Sequence, residues 1–314
     1  ADWWMNSRKF KRNKVLVNSE QSQTKKDFCK EHKFIDWYYF FHGLAALEWY
    51  RNYQYYPKVE KQFTKVFISL NHLVTKDRSY RLNLVANYIN QGIVDKGIVS
   101  LPLQDVNGTI KDELFDTNSK LSKNAKMLVL KHLLHRTEPL VADTLYPEGK
   151  MSAELDLELQ QNALWNVVSE TIYYYDKLHL TEKVFKPIVA RRPFILVAAP
   201  GNLAYLKSYG FKTFDRWIDE SYDSIQDPDL RIQAITQELK KLCSLTTEEL
   251  NTMFQEMQEV LDYNFDHFYG EFKEIVVTEM LNNFQGVVAQ MNNGRWGDEL
   301  FPLENIDLDR VQAR

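Results

Sequence analysis

The 314-residue chain has few of the residues that staple or punctuate a fold: 2 Cys, 11 Gly and 9 Pro. Cys29 and Cys243 lie far apart and belong to no C-x-x-C pair. That excludes a disulfide framework and a zinc knuckle. No G-x-G-x-x-G and no P-loop occurs, so the glycine-dependent dinucleotide and ATP fingerprints are absent. No apolar run approaches the roughly 18 residues that a membrane span needs. A surplus of cations is missing too: the net charge of -4 argues against a nucleic-acid-coating surface. The Lys- and Arg-rich stretch from Lys9 to Lys33 reads as a solvated N-terminal face. Ala1-Asp2-Trp3-Trp4-Met5, followed by that basic polar stretch, does not read as a signal peptide. The expectation is a soluble chain acting in the cytoplasm.

What is present is globular. The chain is 44% hydrophobic and 26% charged, and its length suits one large domain or two ordinary ones. Its 17 Tyr, 18 Phe and 7 Trp can build a thick core or a cleft that stacks on sugars and bases. Core packing is the preferred reading, for the Tyr173-Tyr174-Tyr175 cluster as well.

Apolar runs alternate with helical periodicity. Val15-Leu16-Val17 leads into Asn18-Ser19-Glu20 as a buried parallel strand would. Lys65 to Leu70 is a second strand, ending at Asn71-His72. Leu82, Val85, Ala86 and Ile89 then share a helix face. Gly92 and Gly97 bracket a turn before a short strand over 97–101. The stretch from Gln104 to about Lys150 is less regular, with one helix near Ala125 to His135.

The rhythm restarts with a strand over 164–169, a helix opening near Thr181 and a strand over 193–198. A helix follows Pro200-Gly201-Asn202, and Thr213-Phe214 looks like a brief strand. From Asp227 the chain turns helical. Asp227 caps, Pro228 sits at the first helical position, and Thr246-Thr247-Glu248-Glu249 is a capping box. Another helix is expected from about Phe268 to Met291. The expected fold class is α/β: two Rossmann-like lobes, 1–150 and 151–314, with a helical C-terminal tail and a cleft between the lobes.

The chemistry concentrates in the second half. Thr181 can cap a helix whose N-terminus, with its free N–H groups and partial positive charge, suits a diphosphate. Glu182 can accept from ribose hydroxyls, and Lys183 and Lys186 can neutralise phosphate. In the first half, Asn71-His72 ends a strand. Arg78 and Arg81, three residues apart just beyond it, can hold phosphate bidentately. Glu20 and Glu170, each just past a strand, are the candidate catalytic carboxylates. Asp227-Pro228-Asp229 reads as a helix cap and Asp307-Leu308-Asp309 as part of a tail, rather than as metal sites. His132 and His135 read as helix surface.

Thr181-Glu182-Lys183, with Ser169-Glu170 upstream and Arg192-Pro193-Phe194-Ile195 downstream, resembles the donor-binding stretch of the family 10 fucosyltransferases. The resemblance covers roughly 50 residues. Lys186 to Arg191 stands where that family has an Ala/Gly-rich segment. Residues 201–214 and 219–223 are closer to phage and marine microbial relatives of such transferases.

The resemblance implies a two-lobed (GT-B) glycosyltransferase, inverting and independent of metal. It gives Glu182 and Lys183 the ribose and diphosphate of the donor; Ser169, Thr181 and Lys186 are read from their positions as lying beside them, and Asn71, Arg78 and Arg81 as reaching the donor or acceptor from the first lobe. A GDP-sugar is favoured over a UDP-sugar, and the acceptor is a glycan or another hydroxyl. Two alternatives stay open. One is a non-catalytic viral structural or binding protein on a transferase-like fold. The other is a DNA-base glycosyltransferase, disfavoured by the net charge.

Overall fold

A computed structural model describes residues 15–56, 58, 63–141 and 153–293. Its centre is a four-stranded parallel sheet of β3 (Lys65–Ser69), β4 (Gly97–Val99), β7 (Ala163–Ser169) and β8 (Phe194–Val197), in the order β4-β3-β7-β8. Two small pairs stand apart. β1 (Leu16–Val17) and β2 (Ile35–Asp36) run parallel, and β5 (Gln104–Asp105) and β6 (Gly108–Thr109) form a hairpin. Every residue of β7 and β8 is buried, as continuous apolar runs flanked by helices require.

The expected division at residue 150 does not separate two sheets. β3 pairs directly with β7 in the registers Lys65↔Ala163, Phe67↔Trp165 and Ile68↔Asn166. The physical reason is simple: β3–β4 and β7–β8 are two-stranded pieces, and a two-stranded piece cannot bury both faces by itself. β1 is not a strand of this sheet either; among the described residues it pairs only with β2, and Leu16 is exposed.

Around these strands lie α1 (Gln23–His32), α2 (Phe41–Tyr50), α3 (Tyr80–Asn90), α4 (Ile110–Phe115), α5 (Lys123–His132) and α6 (Leu157–Gln161). They are followed by α7 (Phe185–Val189), α8 (Asn202–Ser208), α9 (Pro228–Ser244), α10 (Thr247–Glu256), α11 (Gln258–Tyr269) and α12 (Glu271–Asn293). Asp227 accepts from the N–H groups of Asp229 and Leu230, so Asp227-Pro228-Asp229 is the helix cap expected of it. Thr246 and Glu249 form the expected capping box.

Four local expectations change. The helix at Thr181 is a 3-10 turn, Glu182–Val184, running into the five-residue α7 that contains Pro187. Thr213-Phe214 forms no strand; Phe214 is buried against Trp165 and Phe194 instead. The helix expected from Phe268 is broken at Gly270, where φ is -99° and ψ -102°, and is divided between α11 and α12. The stretch after Gln104 holds an unexpected hairpin and α4, whose capping box is Thr109 with Asp112. Pro147 and Asp307-Leu308-Asp309 lie outside the described residues.

Aromatics fill the core. Phe185 contacts Phe40, Phe211, Phe268 and Phe272. Tyr80 and Tyr173 stack at 4.2 Å, and Arg231, 2% exposed, lies over Tyr173 and donates to its carbonyl at 2.8 Å. Among the described residues no helix is long and apolar enough to cross a membrane.

Gly97, read from sequence as closing a turn and opening a strand, is the first residue of β4 and the cross-strand partner of Phe67. A Cβ there would stand 2.4 Å from the Phe67 ring. Gly97→Ala is expected to destabilise the protein by about 1–3 kcal/mol, the usual cost of overpacking a tight core. Urea unfolding followed by circular dichroism reads this as a lower midpoint at unchanged slope. An unchanged midpoint would show that the Phe67 ring can move aside.

Candidate functional site

In the order β4-β3-β7-β8 the chain passes from β3 outward to β4, then returns to build β7 on the other side. The direction of winding reverses between β3 and β7. Ligands of open α/β sheets bind outside the carboxyl ends of the strands at such a switch point. Here those ends carry Asn71-His72 and Ser169-Glu170.

Asn71 is fully buried. Its amide donates to the Ser100 carbonyl at 3.1 Å and its backbone N–H to Ser100 Oγ at 2.9 Å, tying the ends of β3 and β4. Its Oδ1 has no partner among the described residues. Arg81, in the first turn of α3, is 5% exposed. Its guanidinium donates to the carbonyls of Leu73 at 2.9 Å, Ser169 at 2.8 Å and Glu170 at 3.2 Å. The expected phosphate-holding arginine is thus committed to clamping the two strand ends together. Arg78 is half-buried on the 3-10 turn Lys76–Arg78 and joins none of these bonds. The two arginines do not share one outward face.

Glu170 is 0% exposed. Its carboxylate accepts from Thr181 Oγ1 at 2.7 Å, Thr181 N at 3.1 Å and Thr171 N at 3.2 Å. A carboxylate held this way fixes the loop between β7 and α7. Thr181 caps the 3-10 turn as expected, its hydroxyl accepting from the Lys183 N–H at 3.5 Å and from Lys183 Nζ at 3.1 Å while giving its own proton to Glu170. Glu182 and Lys183 pair with each other at 2.9 Å, with side-chain exposures of 5% and 27%. Burial pushes the Glu182 carboxyl up, and the Lys183 ammonium more than offsets this, leaving it below its usual range. Ser169 is buried beside them, and Lys186 is half-buried.

The N-terminal segment faces the same place. Gln21 and Leu178 exchange backbone hydrogen bonds at 3.0 and 2.9 Å. Glu20 accepts from Lys177 Nζ at 2.8 Å and Ser22 Oγ at 3.3 Å. Burial alone would raise the Glu20 carboxyl; the bonds from Lys177 and its neighbours and the Lys177 charge hold it below its ordinary value. Asn202, at the start of α8, accepts from the His179 N–H at 2.8 Å and donates to the Lys177 carbonyl at 2.9 Å.

Three histidines converge here. His72 follows β3, His42 lies in α2, and His179 precedes Thr181. Burial, helped by the charges of Arg81, Lys186 and Lys183, pushes His72 down to about 4. Burial, with His179 and Lys183, brings His42 to about 4 as well. The rings of His42 and His179 meet edge to face, 5.1 Å apart. Sequence reasoning named His72 and set it aside as a strand-end residue. It missed His42 and His179, because nothing local links residue 42 to residue 179. Only the position of His179, two residues ahead of Thr181-Glu182-Lys183, offered a signal.

At neutral pH the arrangement places ammonium groups and uncharged imidazoles near the strand ends. It can receive a polyanion, and it can accept a proton. Among the described residues no group of His, Cys, Asp and Glu side chains is arranged to hold a metal ion.

The histidines impose a pH dependence on stability. His42 and His72 bind a proton near 6.5 when unfolded and only near 4 when folded. Between those values the unfolded chain holds more protons, so stability is full above the upper one and is lost as pH falls toward the lower. The melting temperature is expected to drop across this window, and to drop less in His72→Asn. An equal drop in that variant would place the effect elsewhere. No family model, no curated protein and no solved structure matches the chain, so the reading of this site rests on its own geometry.

Proposed function

We propose that the chain is a glycosyltransferase that binds a nucleotide-sugar at the carboxyl ends of β3 and β7 and passes the sugar to a hydroxyl acceptor. The observation that carries this reading is the convergence of Lys183, Lys186 and Glu182 with the ends of both strands at the switch point of a parallel sheet. A diphosphate would lie against the two ammonium groups. The ribose would exchange with Lys183 for hydrogen bonds to Glu182. The leaving nucleoside diphosphate gains negative charge as the glycosidic bond breaks, so cations at its phosphates stabilise the transition state more than the ground state. An inverting, metal-independent displacement is proposed on the resemblance of the Thr181-Glu182-Lys183 stretch.

The two-lobed arrangement is proposed in reduced form. The four-stranded sheet is the donor half. The segment carrying β1, Glu20 and His42 is the acceptor side. A GDP-sugar is the favoured donor, a glycan or similar hydroxyl compound the acceptor, and the cytoplasm the place of action.

One observation favours a second reading. Glu182 and Lys183 are paired, and a donor must part them. A non-catalytic binding protein on this fold would keep them so.

Thermal unfolding with GDP, UDP, ADP and CMP separates the two. A ligand at 100 times its Kd stabilises the native state by about 2.7 kcal/mol. GDP, or else UDP, is expected to raise the melting temperature. Lys183→Ala is expected to weaken that nucleotide about 10- to 100-fold, the loss of one charge-assisted hydrogen bond. If no nucleotide at millimolar concentration shifts the melting point, the transferase reading fails and the binding-protein reading takes its place.

A further inference from the structure

Inverting transfer needs a group to take the acceptor's proton, and the two carboxylates expected for that task are both engaged. Glu170 is wholly buried and accepts three hydrogen bonds from Thr171 and Thr181. Glu20 is bound to Lys177 at 2.8 Å. Glu170 is closed off from solvent, and Glu20 is held in an ion pair. What the two carboxylates have in common is a neighbour: both act electrostatically on the imidazole of His179.

His179 is held on three sides. The residue before it is bridged to Gln21 through paired backbone bonds. Its own N–H donates to Asn202 Oδ1 at 2.8 Å. A neutral imidazole carries one ring N–H and keeps a lone pair on its other nitrogen. The edge-to-face contact with His42, at 88° and 5.1 Å, restrains the ring plane. The ring is half-buried rather than sealed. Around the two rings stand Glu20 after β1, Glu170 at the end of β7, and Glu182 and Lys183 on the turn before α7.

We propose that His179 is the general base that takes the acceptor's proton, with Glu20 and Glu170 supporting the imidazolium that forms. The proposal rests on the transferase reading above. The acceptor's O–H proton passes to the free ring nitrogen of His179 as the acceptor oxygen bonds to the anomeric carbon. The bond from that carbon to the diphosphate oxygen breaks, and its electron pair leaves with the nucleoside diphosphate, beside Lys183 and Lys186. The imidazolium then returns its proton to solvent. Two negative charges near the ring favour the imidazolium, and the burial that keeps it neutral beforehand makes the lone pair available. Glu20 and Glu170 are positioning residues in this scheme, because they act through the ring.

The test uses GDP-fucose, GDP-mannose and UDP-glucose with water and a panel of oligosaccharides as acceptors, and measures release of the nucleoside diphosphate. His179→Asn keeps an amide donor and removes the base. It is expected to lower kcat about 10²- to 10⁴-fold, the usual contribution of general base catalysis, with nucleotide-induced thermal shift unchanged. A second measurement does not depend on that variant. In the wild type, the His179 ring resonance is expected to titrate below the ordinary imidazole range and to move upward when GDP or UDP is added, since a polyanion favours the protonated ring.

A variant that binds the nucleotide and turns over within threefold of wild type overturns the base assignment and leaves the transferase reading standing. So does a ring resonance indifferent to a nucleotide that binds. Wild-type protein that binds no nucleotide, or binds one and never cleaves the sugar–phosphate bond, overturns both.

Discussion

The parallel pairing of β3 with β7 is the constraint on which the rest of the structure depends. It joins the two halves of the chain through Lys65↔Ala163, Phe67↔Trp165 and Ile68↔Asn166. It also creates the switch point, because β4 has already been laid on the outer side of β3. Arg81 closes that pairing at its carboxyl end, reaching from α3 to the carbonyls of Leu73 beyond β3 and of Ser169 and Glu170 at the end of β7. The Tyr80 hydroxyl donates to the same Glu170 carbonyl. Strand-end carbonyls are orphan acceptors in any open sheet, and here a buried cation satisfies several together. Once they are fixed, the Glu170 side chain is fixed, and with it Thr181 and the turn that presents Lys183.

How far the sequence revealed this depended on whether a signal was local. β3, β7 and β8 were legible as short apolar runs, and α3 and α9 as periodic faces with caps or turn residues at their ends. Asp227 and Thr246 did what their positions predicted, because a cap bonds only within the next few residues. The joining of the two halves in one sheet was not legible, because β3–β7 pairing is a contact between residues roughly one hundred positions apart that leaves no pattern in either strand. The same limit explains Arg81. An arginine three residues from another on a helix suggests one outward face, yet the carbonyls that turn it inward belong to a strand far along the chain. Thr213-Phe214 shows the reverse error. An apolar pair after a helix looks like a strand, but Phe214 packs on Trp165 and Phe194 without entering the sheet.

The site itself was half legible. Thr181, Glu182, Lys183, Lys186, Ser169, Glu170 and Asn71 were each named from sequence, and the fold brings them to one end of one sheet. What sequence reasoning could not supply was the state of each group. Glu170 reads as a free carboxylate on paper and is a threefold acceptor in the structure. The histidines read as incidental, and the surroundings push His42 and His72 well below the ordinary imidazole range. Burial disfavours their charged form, and the ammonium groups nearby add to that effect. Burial and the neighbouring ammonium groups thus keep His42 and His72 uncharged at neutral pH.

The remaining question is what holds the N-terminal segment against this site, since β1–β2 is too small to fix it. The answer lies in α12. Glu279 accepts from the Phe40 N–H at 2.9 Å and from the Tyr209 hydroxyl at 2.9 Å, and Tyr209 bonds in turn to Tyr205 and Tyr205 to Tyr38. Asn283, one turn further along α12, donates to the Tyr38 carbonyl at 2.6 Å. Gly43 lets α2 settle onto α12: a Cβ there would lie 2.6 Å from the Phe272 ring. Burial raises the Glu279 carboxyl, which its hydrogen bonds only partly offset. A carboxyl so placed couples three elements in a low-dielectric setting, where each bond strengthens the next. His42 is the immediate neighbour of Gly43, so the contact that seats α2 also sets where that imidazole meets His179. Through these bonds α12, remote in sequence from the strand ends, anchors the segment that carries His42.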